Sequence, residues 1–280
     1  MPFLENFRCQ QMIDSSLALN IALITYGNAL LRKRDHFSEL DESIHPSFKV
    51  VKRLQFDHDG LGDRVIEGPM SWFEWHQDTG TDGLVFAWNR SCGNSKESDN
   101  ACWWIEAHSL NGSGLWIPEW IINPEYLEID REARWKVTYH GSDVKLDPSI
   151  YSLHFEYRDA GISMLNKSSG QLREALKLAL DFTHVVEGYT LEVQQRLKDA
   201  IDCLNESEPS CALIPKWCYG DESRRALNSC LNAYVLGNEE LWSDQSLIAD
   251  GDRKIFASVS VSLYEAIMQT VEWAVHPSLV

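Results

Sequence analysis

Trp72-Phe73-Glu74-Trp75-His76 and Trp104-Ile105-Glu106-Ala107-His108 repeat one pattern, Trp-apolar-Glu-x-His. How these two pentapeptides fold decides the architecture around them. Side chains alternate along a β-strand, so residues i, i+2 and i+4 share a face. As strands, the first would project Trp72, Glu74 and His76 together, and the second Trp104, Glu106 and His108. Phe73, Trp75 and Ile105 would then turn towards a core. Both pentapeptides lie in Met70–Asp130, which holds seven of the eleven tryptophans and ten acidic residues against two basic ones.

Working outward, strand signals begin upstream at 48–56. They recur near 70–77, 83–89, 101–109, 115–122, 134–140 and 151–158, separated by Gly-, Asn- and Asp-rich turns. Short, regularly spaced strands predict an antiparallel sheet, as a sandwich or open barrel. Before them, Leu17, Ile21, Ile24 and Leu31 recur at helical spacing, predicting a helix over 14–34 with Asp14 or Ser15 as its cap. Apolar residues on its other faces imply burial.

After Gly161 the period becomes helical again. One stripe joins Leu172, Leu176, Ala179 and Val186, and a second follows Thr190. A third helix is expected from Asp221, and a last one over 252–275 before Pro277. The fold class is therefore α+β. The division is an N-terminal helix with the β part over 1–165 and a helical part over 166–280, as two units or one continuous domain.

The chain of 280 residues carries a net charge of −17. Residues 70–130 contribute −8 of it and residues 200–252 contribute −7. Such a field disfavours nucleic acid and anionic membranes and speeds encounter with basic partners. Seven cysteines, an odd number without a Cys-x-x-Cys pair, imply reduced thiols and a cytoplasmic location. The N-terminal residues lack the basic, apolar signature of a signal peptide, and the apolar run Leu17–Leu31 is too short to span a bilayer.

Three candidate sites emerge. In the first, Trp72, Trp116 and Trp120 anchor a protein partner, with Glu74, Glu106 and Glu119 as a charged rim. In the second, Glu74, His76, Glu106 and His108 converge as a divalent-metal site, since carboxylates and imidazoles are transition-metal ligands. In the third, a calcium loop at 57–63 fails on inspection. Leu61 stands where a ligand is required and no Glu occupies the twelfth position. The spacing of Cys203, Cys211, Cys218 and Cys230 matches no zinc module, which leaves buried thiols. No phosphate-binding glycine loop, nucleophile elbow or His-Glu-x-x-His occurs.

The first site leads to the expected function. This would be an acidic protein-binding inhibitor, of the immunity-protein or phage anti-defence kind, that blocks a basic nucleic-acid-handling enzyme without a cofactor. The second makes a metal-dependent enzyme the alternative. A structural or assembly subunit, with homo-oligomer contacts through the apolar first helix, is a further reading.

Overall fold

A computed structural model describes residues 2–32, 51–62, 64–88, 103–110, 112–122, 135–144, 161–186, 191–207, 218–234, 242, 249 and 251–276. Its elements run α1 (Pro2–Leu31), β1 (Val51–His58), β2 (Val65–Glu67), α2 (Pro69–Asp78), β3 (Thr81–Trp88), β4 (Trp103–Ser109), β5 (Gly112–Ile122) and β6 (Trp135–Val144). Four further helices follow: α3 (Gly161–Val185), α4 (Leu191–Cys203), α5 (Asp221–Ala233) and α6 (Arg253–Ala274). The α+β layout stands.

The six strands form one sheet in the order β2-β1-β6-β5-β4-β3, open at both ends. It is mixed rather than wholly antiparallel, because β1 and β6 pair in parallel (Phe56 opposite Tyr139, His58 opposite Gly141). A parallel pair needs a long crossover, and here the segment from β2 through β5 supplies it. Directly opposed residues share a sheet face, so the register sorts the side chains. Leu54, Phe56, His58, Ile105, Trp116, Val137 and Tyr139 point to one side.

The helices cover that side. Trp72 of α2 stacks on Phe56 with ring centroids 4.6 Å apart. Trp103 meets Tyr234, just past α5, at 5.7 Å, and Trp88 meets Tyr264 of α6 at 5.8 Å. Trp88 Nε1 also donates to Glu272 Oε2 of α6 at 3.0 Å. One hydrophobic core runs from Leu17 to Val275, through the sheet. The boundary drawn at 165/166 falls inside α3.

From Leu17 to Ala29 every residue of α1 is buried except Gly27 and Asn28 by hydrophobicity alone; the glycine and the amide are buried too. A helix apolar on all sides belongs inside a protein, as its sequence implied. It starts at Pro2, so Asp14 and Ser15 lie within the helix and do not cap it. Its polar residues find partners: Asn20 Oδ1 accepts from Tyr139 Oη at 2.9 Å. The Asn28 amide donates to Leu84 O at 2.8 Å and accepts from Leu84 N at 2.7 Å, as a neighbouring strand would. β3 is an edge strand, and this pairing occupies backbone groups that an edge would otherwise leave open.

The strand expected at 70–77 is a helix. Pro69 occupies its first turn, where a missing N–H costs nothing, and Gly80 follows its end at φ +76°. The same residues satisfy a helical pattern: Trp72, Phe73 and His76 are buried at i, i+1 and i+4, and Glu74 is exposed. The remaining described strands lie where the alternation put them, and 151–158 falls outside the described residues. The turn after β1 is a hairpin turn onto antiparallel β2, not a cation loop. Helices α4, α5 and α6 match their expected starts. Among the described residues no helix is long and apolar enough to cross a membrane.

Candidate functional site

Where β1, β4, β5 and β6 meet the end of α2, a cleft of about 840 Å³ opens on the helix-covered side of the sheet. His58 ends β1, Trp75 and His76 come from the last turns of α2, and Thr79 and Thr81 from the turn into β3. Ala107 and Ser109 of β4, Gly112, Gly114 and Trp116 of β5, and Asp143 of β6 complete the wall.

The cleft is aromatic. Trp75 lies 5.1 Å from His58, 4.8 Å from His76 and 5.4 Å from Trp116, centroid to centroid. Trp116 is likewise 5.3 Å from His58 and 5.5 Å from His76. Gly141 permits this crowding. A Cβ at that position would stand 2.6 Å from Trp116 and 2.7 Å from His58, closer than real atoms approach.

His58, His76 and Trp116 are all buried, and His58 Nε2, His76 Nε2 and Trp116 Nε1 have no hydrogen-bond partner within the protein. An unsatisfied buried donor or acceptor costs about 1–3 kcal/mol, and native folds rarely keep them without a reason. Each ring is fixed at its other end. His58 Nδ1 accepts the Gly60 amide at 3.0 Å, so its ring proton sits on Nε2, 3.4 Å from Asp143 Oδ1. That pair is within ion-pair distance but outside hydrogen-bond geometry, and Asp143 itself is largely exposed.

His76 Nδ1 contacts Thr81 Oγ1 at 2.8 Å. Burial, and then the neighbouring His58 ring, holds the His76 pKa down at about 3, so this imidazole is neutral at physiological pH. Thr79 Oγ1 donates to the backbone carbonyls of Trp75 and His76, and Ser109 Oγ to that of Gly112. The cleft thus offers neutral hydrogen-bonding edges on aromatic walls with one carboxylate at the mouth. It is equipped to recognise a molecule rather than to move protons at neutral pH: His76 is too weak a base, and His58 presents an N–H.

The residues singled out by the repeated pentapeptides separate. Trp72 and Trp116 are fully buried in the core, so neither is a surface anchor for a partner. Glu74 is exposed on the outer side of α2, whereas His76 faces the cleft. Glu106 and His108 do meet, with Oε2 to Nε2 at 3.2 Å, but on the opposite sheet face from α2. Trp104 Nε1 donates to Glu106 Oε1 at 3.1 Å, and Ser113 Oγ lies 3.2 Å from His108 Nδ1. The four proposed metal ligands therefore do not converge. Among the described residues no group of three or more His, Cys, Asp or Glu is placed to hold a metal ion. Glu119 is exposed and contacts His140 at 3.0 Å. The side chain of Trp120 lies outside the described residues.

Cys203, Cys218 and Cys230 are buried, free thiols, as expected. Burial pushes the Cys203 thiol up to about 11, with nearby Glu206 and Asp199 adding to the effect, so it is not a reactive thiolate. A shallower groove of about 560 Å³ between α3 and α6 contains none of the buried, unpartnered side-chain atoms of the described residues.

Sequence reasoning missed His58, Trp75, Thr81 and Asp143. His58 had been absorbed into the turn that follows it, and Asp143 has no local motif. Only the pairing of β1 with β6 brings the two together. Compared with protein-family models, with curated proteins and with solved structures, the chain gives no match.

Proposed function

We propose that this protein recognises a small organic molecule in the cleft between α2 and the end of the sheet. The observation that carries the reading is the convergence of three buried, unpartnered ring nitrogens, those of His58, His76 and Trp116, on one aromatic-walled cleft. Ligand sites are typically concavities of several hundred Å³, mostly apolar, with a few placed polar groups, and this cleft has that composition. A ligand that meets those nitrogens recovers hydrogen bonds the unliganded fold lacks.

A fragment screen followed by NMR tests this, with the Trp116 indole N–H and the His58 and His76 ring protons as reporters. Hits should shift these signals together. Gly114→Val supplies the control, because a Cβ there makes only ordinary contacts at 3.8 Å and its branches would extend into the cleft. That variant should fold and lose the hits. Hits that leave all three rings unmoved, or that bind Gly114→Val equally well, would sink the reading.

Inhibition of a basic protein is a second reading, and the uncovered sheet face favours it. There Asp57 and Glu119 flank His140 at 3.8 and 3.0 Å, beside the exposed apolar side chains of Ile117 and Val65. Apolar residues rimmed by carboxylates suit a basic partner, and association would weaken with salt. With Trp72 and Trp116 in the core, this interface would rest on Ile117, Val65 and the carboxylates. A Glu119→Lys/Asp57→Lys double variant should lose a partner captured by the native chain. Retention of that partner would count against this second reading.

A further inference from the structure

We infer that the ligand of the cleft presents a planar amide edge, a carbonyl oxygen beside an N–H, and carries no negative charge. This deepens the small-molecule reading above and rests on it.

The donor and acceptor pattern of the walls dictates the edge. Indole nitrogen only donates, so Trp116 Nε1 requires an acceptor. His58 is held by the Gly60 amide in the tautomer that donates from Nε2, so it requires an acceptor too. The rings of these two residues lie 5.3 Å apart, a separation at which one carbonyl oxygen with two lone pairs can serve both. Asp143 Oδ1, 3.4 Å from His58 Nε2, only accepts, so the group next to the carbonyl must donate. Acceptor and donor side by side are the edge of a primary amide, a lactam or an amide-containing heterocycle.

Charge and shape agree. Among the described residues no Lys or Arg lines the cleft, His76 is neutral, and Asp143 is the one carboxylate on its wall. A phosphate or carboxylate ligand would find no cation there and would meet like charge at the mouth. Trp75, half-buried and close to both imidazoles and Trp116, gives a planar ligand an aromatic surface to stack on.

Benzamide, benzoate and benzamidine test the inference on the full chain, since they share a ring and differ in the edge. Benzamide is expected to bind at least about tenfold more tightly than benzoate, which repels Asp143. It should also surpass benzamidine, which has no carbonyl to accept from Trp116 and His58. Asp143→Asn, a change at an exposed side chain, should narrow the gap between benzamide and benzoate to about twofold by restoring benzoate.

Benzoate binding as tightly as benzamide, a gap untouched by Asp143→Asn, or benzamidine binding tightest would each overturn the amide edge. All three outcomes would leave the cleft as a ligand site. Silence of the Trp116, His58 and His76 signals towards all three compounds, up to about 10 mM, would overturn the cleft reading itself, because a fragment of this size at ordinary ligand efficiency registers at that concentration.

Discussion

Trp72–His76 and Trp104–His108 share a pattern and adopt different structures, and the difference shows how little a short pattern determines. In β4 the spacing acts as a strand. Trp104, Glu106 and His108 line one face and are joined through the Glu106 carboxylate. In α2 the same spacing acts as a helix. Trp72 and His76, one turn apart, face inward with ring centroids 4.5 Å apart, and Glu74 between them points to solvent. Chemically similar segments thus yield a polar cluster on one sheet face and half of an aromatic cleft on the other.

The contrast can be broken most severely at the tryptophans. Trp72→Ala removes a fully buried side chain stacked on Phe56 and should cost about 3–5 kcal/mol, as large aromatic truncations in cores do. Trp104→Ala, at a half-buried position, should cost about 1–2 kcal/mol. Urea unfolding monitored by far-ultraviolet circular dichroism gives both values. Similar losses would mean that the two segments are equivalent after all.

The histidines come next. His76 is held neutral in the folded protein with a pKa near 3, while in the unfolded chain it titrates near its ordinary value of 6.5. Between those values the unfolded state binds more protons, so stability is complete above about pH 6.5 and declines as pH falls towards 3. Over pH 6.5 to 5 the native protein should lose about 2 kcal/mol more than His76→Gln, at about 1.4 kcal/mol per pH unit. Parallel stability–pH curves for the two proteins would remove His76 from its buried position.

The glutamates give the smallest effects. Glu106→Gln alters a carboxylate engaged by Trp104 and His108 and should cost about 1–2 kcal/mol. Glu74→Gln, at an exposed helical position, should stay within about 0.5 kcal/mol. Thermal and urea denaturation of the two variants side by side would separate these values. A Glu74 effect as large as that of Glu106 would contradict the helical placement.

Much of the fold was legible because its periodic signals are long. The apolar residues of α1 and the stripes of α4, α5 and α6 extend over several turns, and strands β3 to β6 alternate cleanly. The segment at 69–78 was not legible from alternation, because five residues can fit a period of 2.0 and one of 3.6 together. Pro69, two residues before Ser71, was the available helix-start signal, and the tryptophan spacing outweighed it. Of the candidate site, His76 and Trp116 were singled out for other roles. His58 and Asp143 carry no local signature, since a polar residue at a strand end reads as part of a turn.

By itself the sequence determined the α+β class, the burial of α1, the strongly acidic surface and the unreactive buried thiols. These follow from composition and from periods sustained over many residues. Tertiary structure alone decided that β1 lies parallel to β6, that α2 crosses the sheet end as a helix, and that His58, His76, Trp116 and Asp143 share one cleft. Contacts between residues far apart in the chain depend on how whole elements pack, and no local stretch of residues encodes them.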